Sequence, residues 1–349
     1  LTYKYLNVNK ISDFYLVKTL GISILMDISH FISLIMIPKA KELKLISIYL
    51  YICDIFDSRL KGTCQRFSNN SNPDFTDQEV MTIYLYAMNV EQRLKIKQIH
   101  QYANDYLRSW FPLLPSYEAF NVRINRLSEA FRILSEILLS ENCPPDCDLN
   151  TSVMDSLPII TCSGKRSPSV AKEITDKGYC SSKSMYYYGL KLHALAFHRP
   201  DHLPFPESIV VTPASENDLN VHKQNWCDIP NRSFFGDKIY RDAELSKDMA
   251  RISNSRILTP VKAVKNQAQV LIQRDKAAND LYSRAVSAIR QSIESLFNWI
   301  IEKTDIQRAS KVRSTRGLLV HVFGRIAAAF IFLTLNSHNL LVELLEKNN

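Results

Sequence analysis

Apolar residues recur at helical spacing in the first part of the chain and as short β-branched or aromatic runs beyond residue 150. From about Lys44 to Ser140 the pattern is helical, opening on Leu45, Ile46, Ile48 and Tyr49. The segment Thr76 to Glu79 (T-D-Q-E) reads as a capping box: the Thr76 hydroxyl accepts from the Glu79 backbone while the Glu79 side chain reaches back. Val80, Ile83, Tyr84 and Met88 follow it at helical spacing. A second start falls at Pro115-Ser116, ahead of Phe120, Ile124 and Leu127, with Arg123 and Arg126 on a neighbouring face. These segments predict a small all-helical domain over residues 44–140.

The segment 141–150 (E-N-C-P-P-D-C-D-L-N) interrupts that pattern with two adjacent prolines and predicts a linker. Strands are expected at Ser152 to Ile160, Tyr186 to Phe197, Ser208 to Thr212, Ser233 to Phe235 and Arg256 to Val261. Helical stretches fall near Asn217 to Lys223, Ala243 to Ile252, Asp280 to Lys303 and Leu318 to Leu345. Three strands in succession, then alternation with helices, predict a mixed α/β sheet with an antiparallel start over residues 151–349.

Composition narrows the class without naming a function. The chain has 349 residues, 46% of them hydrophobic, with 8 Gly and 14 Pro, and neither repeats nor low-complexity tracts. That describes a packed globular protein. A net charge of +8 suits a polyanionic partner without requiring one. Seven scattered cysteines fit reduced thiols better than a disulfide framework, and Cys143 and Cys147 lack a second close pair to complete a zinc site. The apolar stretch from Thr19 to Pro38 carries Asp27 and His30 in its middle, which favours a buried helix over a membrane anchor. Residues 1–43 read as an N-terminal extension to which no function is given. There is no G-x-x-x-x-G-K-[ST] phosphate loop, and so no nucleotide cofactor is expected.

Three acids stand out locally. Asp155 interrupts a run that otherwise reads as a buried strand, with Val153 and Leu157 on its side. A charge there requires a cation, hydrogen bonds or a metal, and structural pairing and metal binding weigh about equally. Asp237 ends a second apolar run after Gly236, which lets the backbone leave the strand. Asp242, nearby, reads as the cap of the next helix. In the helix around residue 290, Val286, Ile289, Ile293, Leu296, Phe297 and Ile300 form one stripe. Arg290 and Glu294 border it one turn apart, and Glu302 points away. The plainest reading of Arg290 and Glu294 is a surface ion pair. Three carboxylates on two strand ends and one packed helix also suit two Mg²⁺ ions, with Mn²⁺ as a substitute, because hard cations take oxygen ligands.

Several blocks, in order, resemble the bacterial insertion-sequence transposases with a DDE triad. They are V-M-D-S-L-P-I (153–159), Y-Y-G-L-K-L-H (187–193), V-T-P-A-S-E-N-D (211–218), G-D-K-I-Y (236–240) and R-Q-S-I-E (290–294). The resemblance covers about residues 75–335. It implies a ribonuclease-H-like catalytic domain in which Asp155, Asp237 and Glu294 are catalytic and hold the metals. Arg290 would support Glu294 or contact DNA, and Lys191 and His193 would lie beside the site. Two positions depart from the family pattern: Ser287 stands where a Tyr is common, and Ile301 where a Lys is, with Lys303 the nearest substitute.

The resemblance further implies Mg²⁺-dependent cleavage at element ends and strand transfer into target DNA. The partners would be the terminal inverted repeats and the target DNA, and the expected assembly is a homodimer on DNA, with no membrane and a cytoplasmic, nucleoid-associated location. Basic residues near the site, Lys165, Arg166, Lys183, Lys311 and Arg313, can neutralise phosphates, although taken singly each reads as a solvated charge. Arg123 and Arg126 in the helical domain are candidate readers of the terminal repeat. Two other functions stay open: a decayed transposase that only binds DNA, and a metal-dependent nuclease without strand transfer.

Overall fold

The computed structural model of the chain describes residues 37–66, 73–166, 168–181, 183–262 and 268–335. Apart from Ile37 and Pro38, the apolar N-terminal stretch lies outside the described residues, as does the expected last helix beyond Leu335. Two compact units are present, divided in sequence after Leu127.

The first unit holds α1 (Lys39–Ile55), α2 (Asp77–Asn89), α3 (Ile96–Tyr106) and α4 (Tyr117–Arg126). The capping box of α2 is formed as expected: Glu79 N donates to Thr76 Oγ1 at 3.3 Å and Thr76 N to Glu79 Oε2 at 2.5 Å. Val80, Met81, Ile83, Tyr84 and Leu85 are all buried, so α2 is the core of this unit. At its first turn Asp77 accepts three arginines: Arg66 at 2.6 Å, Arg123 at 3.0 Å and Arg126 at 3.4 Å. Arg123 also lies over the Phe75 ring, 5.2 Å from its centroid. Of the two arginines expected from the sequence to meet DNA, Arg123 is drawn inward by this carboxylate, whereas Arg126 pairs with it and stays exposed. Burial holds the Arg123 guanidinium below its ordinary pKa against the lift from Asp77.

The second unit begins with α5 (Ser128–Glu141), whose apolar residues Ala130, Phe131, Leu134 and Leu138 are buried. It packs on the last described helices and on a strand of the sheet, and Ser135 Oγ donates to Phe323 O at 3.4 Å. The helix just ahead of the proline pair therefore belongs with the sheet, whereas the periodicity alone grouped it with the helices before it.

The sheet is built from β1 (Asp148–Ser163), β2 (Asp176–Cys180), β3 (Met185–His198), β4 (Phe205–Pro213), β5 (Ser233–Phe235) and β6 (Arg256–Leu258). One side of β3 pairs antiparallel with β1; the other side pairs antiparallel first with β2 and then with β4. On its far side β1 is parallel to β5, and β5 to β6. An order β4-β3-β1-β5-β6, three antiparallel strands followed by two parallel ones, flanked by helices, is the ribonuclease-H-like arrangement. The polar strand β2 is absent from the sequence reading.

The other described helices of this unit are α6 (Asp218–Asn225), α7 (Ala243–Ile252), α8 (Gln269–Thr304), α9 (Thr315–Leu319) and α10 (Arg325–Leu335), the last two joined by a wider helical turn. On one face Met154, Leu195, Val221, Trp226, Phe234, Tyr240 and Met249 form a core with residues of α6 and α7. Successive β1 side chains alternate between faces, so Asp155 points away from Met154. It points toward α8, which packs along β1 and buries Val286, Ile293, Leu296, Phe297 and Ile300. The stretch Thr315–Thr334 is long and apolar enough to cross a bilayer, but 72% of it is buried inside the fold, so core packing accounts for its composition.

Candidate active site

Asp155 occupies the middle of β1, opposite Ala194 of β3, between the buried Val153 and Leu157 on its own face. Its Oδ1 accepts from Ser156 N at 2.8 Å and its Oδ2 from Arg290 Nη1 at 3.2 Å. Burial pushes the Asp155 carboxyl up to about 6, against the lowering effects of that amide and of Arg290, while Asp218 and Asp237 add to the rise. The same guanidinium reaches Glu294, with Nη2 2.6 Å from Oε1. Arg290 is thus a bridge between β1 and its own helix, more than the simple surface pair expected. Glu302, in contrast, is 73% exposed and pairs only with Lys303 at 3.2 Å.

Asp237 follows Gly236 at the end of β5. A Cβ at Gly236 would lie 2.7 Å from Tyr240 Cδ2 and 2.8 Å from Met154 Cε, so the chain leaves the strand pressed against the core. Asp237 is exposed and caps the short helical turn Lys238–Tyr240, accepting from Lys238 N at 2.7 Å. Asp242 caps α7, with 3.1 Å contacts from both Glu244 N and Leu245 N, as its position suggested. Asp237 therefore combines a turn-forming role with a location in the electrostatic field of Asp155.

A further carboxylate, unassigned in the sequence, lies within electrostatic reach of Asp155. Asp218 is the first residue of α6 after the cap Asn217, and its side chain is only 12% exposed. Lys191 Nζ lies 3.3 Å from Asp218 Oδ1 and 2.7 Å from Glu216 O. His193, fully buried, sets Nδ1 3.2 Å from Asp218 Oδ1 and Nε2 2.9 Å from Thr212 Oγ1. Burial alone would raise the Asp218 carboxyl, but His193, Lys191 and the Ser156 side chain outweigh it and hold the carboxyl below its ordinary range. Lys191 and His193, singled out in the sequence as neighbours of the site, share the strand face of Leu195 and have Asp218 as their direct partner. An acid in the first turn of a helix reads as ordinary dipole compensation, so nothing local distinguishes it. Underneath, Tyr240 is completely buried and its hydroxyl has no hydrogen-bond partner. Burial and the charges of Asp218, Asp155 and Asp237 hold that phenol neutral.

The donor set is all oxygen, with the half-buried Asp155 and two more acids in its field, which suits a hard divalent cation. Among the described residues no three His, Cys, Asp or Glu side chains converge at metal-ligand spacing. Arg290 supplies the positive charge between Asp155 and Glu294 and occupies one oxygen of each. Of the other basic residues singled out, Lys165, Arg166 and Arg313 line one concavity of the second unit, and Lys311 is exposed in the same segment as Arg313. Lys183 hydrogen-bonds Gln307.

A family model described as a transposase DDE domain matches residues 148–331, just over half of the chain, and begins and ends within the unit that carries these carboxylates. Compared with curated proteins, the chain has no match. The extent of the family match, together with the sheet order and the acids at its centre, identifies the chain as a member of the DDE transposase family, whose members are metal-dependent and act on DNA.

Proposed function

We propose that this transposase cleaves DNA at the ends of a mobile element and transfers the freed strand into target DNA. Asp155, Asp237 and Glu294 would be its metal ligands and Mg²⁺ its ion, with Mn²⁺ as a substitute. The observation that carries the reading is the half-buried Asp155, tied to Glu294 through one guanidinium and lying in the field of Asp237 and Asp218. When bound, two divalent ions would supply Lewis-acid activation of the attacking oxygen and stabilise the leaving oxygen. The chain's own part is positioning. The β1 backbone fixes Asp155 through the Ser156 amide, and the Gly236 turn presents Asp237. The Lys191–Asp218–His193 group ties the middle of β3 to the first turn of α6. Released from the carboxylates, Arg290 would be free to take a substrate phosphate, which a bidentate guanidinium binds well. The first, helical unit would read the terminal inverted repeats, and a homodimer would assemble on DNA in the cytoplasm, at the nucleoid.

The test is nicking of DNA carrying the element ends, with Mg²⁺ or Mn²⁺ against EDTA. Parent chain should nick and join. Asp155→Asn and Glu294→Gln should lose at least about a hundredfold in rate while still binding DNA. No nicking by the parent in either metal would leave a protein that only occupies its repeats. Nicking without joining would leave a nuclease.

A further inference from the structure

Beyond the carboxylates β1 runs on to Ser163, and its last residues form one wall of a concavity of about 720 Å³. The other walls are the loop after Ser163 and the segment from Ala309 to Arg313. That segment is pinned to β1, because Ile160 N donates to Gln307 O at 2.8 Å and Ala309 N to Ile160 O at 2.9 Å. Lys165, Arg166 and Arg313, far apart in sequence, thereby converge on one space. Ser169, Ser310 and Cys162 also line it, and among the described residues no acid does.

Many cations of this unit are already neutralised: Arg199 by Asp146 at 2.8 Å, Lys223 by Asp242 at 2.6 Å, Arg232 by Glu207 at 2.7 Å. Among the described residues no ion pair to a carboxylate involves Lys165, Arg166 or Arg313. Arg313 Nη1 is held instead by Ser310 O at 3.2 Å and Val312 O at 2.9 Å, which fixes the direction of the guanidinium. Three unneutralised like charges around one concavity repel one another, and a bound anion relieves that repulsion.

A neighbouring feature says which anion. Gly164 lies flat on β3: its N donates to Tyr186 O at 2.8 Å, and a Cβ there would come within 2.6 Å of Tyr186 Cβ. The hairpin beneath exposes Tyr179 and Tyr186, 54% and 58% accessible, with ring centroids 5.0 Å apart. Lys177 Nζ lies 5.1 Å from the centroid of the Tyr186 ring. Solvent-facing aromatic rings beside a basic cavity suit a nucleic-acid strand, which offers a base to stack as well as a phosphate; a free phosphate has no use for them.

We propose that this concavity and the Tyr179–Tyr186 pair form a second DNA-strand site. It would hold a phosphodiester remote from the reacting one and stack an unpaired base on the hairpin. The proposal rests on the DNA-processing reading only for the identity of the polymer.

The test measures binding of the full chain to labelled single-stranded and duplex DNA over a range of salt in EDTA, where no cleavage intervenes. Arg313→Gln and the double variant K165Q/R166Q should flatten the slope of log affinity against log salt by about 0.7 to 0.9 per cation removed. Arg313→Lys should restore the slope. Y179S/Y186S should weaken single-strand binding roughly tenfold and leave the slope unchanged. The site is overturned if folded Gln variants keep the parental slope and affinity, or if the parent binds no DNA. It is also overturned if inorganic phosphate, but not DNA, protects Cys162 from alkylation. A flattened slope in a protein that never nicks would sink the catalytic proposal and leave this site standing. Nicking with an unchanged slope would do the reverse.

Discussion

Replacing Arg290 by Met tests the central electrostatic claim, since it keeps the bulk of the side chain and removes the cation between Asp155 and Glu294. The Glu294 contact is a half-exposed i,i+4 pair and contributes about 0.3–0.5 kcal/mol. The Asp155 contact matters more. Removing one partner of a fully buried pair costs about 3–5 kcal/mol, but the side chains here are 17% and 26% exposed, which discounts the cost to about 1–2 kcal/mol. In metal-free buffer Arg290→Met should therefore be about 2 kcal/mol less stable. For a unit of its size that corresponds to a melting temperature lower by about 4–8 °C. Divalent metal reverses the comparison, because a cation and Arg290 neutralise the same oxygens. Mg²⁺ at a hundredfold excess over its Kd adds about 2.7 kcal/mol to any protein that binds it only when folded. The variant, with no guanidinium to displace, should reach that gain at lower Mg²⁺ than the parent. Thermal melts followed by fluorescence in EDTA and across a Mg²⁺ series measure both effects. A variant as stable as the parent in EDTA would refute the bridge. A Mg²⁺-induced shift of equal size in Asp155→Asn and the parent would refute Asp155 as a ligand.

Two further perturbations concern stability alone. His222 is wholly buried, its ring nitrogens have no hydrogen-bond partner, and it packs against Phe234, Trp226 and Tyr240. Burial lowers its pKa from 6.5 to about 4. The neutral ring is favoured in the fold, so the stabilisation is complete above pH 6.5 and lost as pH falls toward 4, by up to about 3 kcal/mol. Tyr240 stays neutral over this range, so His222→Phe should flatten the acid limb of stability measured by urea melts at stepped pH; an unchanged limb would rule His222 out. In the first unit, Asp77→Ala strands three arginines and should cost about 3–5 kcal/mol, read as loss of helical circular dichroism at lower denaturant. If Asp77→Ala melts with the parent, the three arginines are solvated and the cluster contributes nothing.

Much of the architecture was legible along the chain because secondary structure leaves a local trace. The capping box at Thr76 depends on residues three apart, and the β1 and β3 runs carry their burial in their own composition. The strand β2 (D-K-G-Y-C) has no such trace: it is short and polar, and it becomes a strand only because β3 offers it a paired edge. The beginning of α8 was missed for a related reason. Its first turns, with Val270 75% and Leu271 40% exposed, bury no stripe, so no periodicity marks them. The choice of Asp155, Asp237 and Glu294 came from local pattern and from family resemblance.

Their surroundings belong to the tertiary structure. The β3–β4 register and the placement of α6 bring Lys191, His193 and Asp218 together across 27 residues, and the packing of α8 on β1 sets Arg290 against Asp155 across 135. Composition and spacing determine which face of an element is apolar. Which charges meet is decided by strand register and helix packing, and these are set by the burial of a core to which residues throughout the unit contribute.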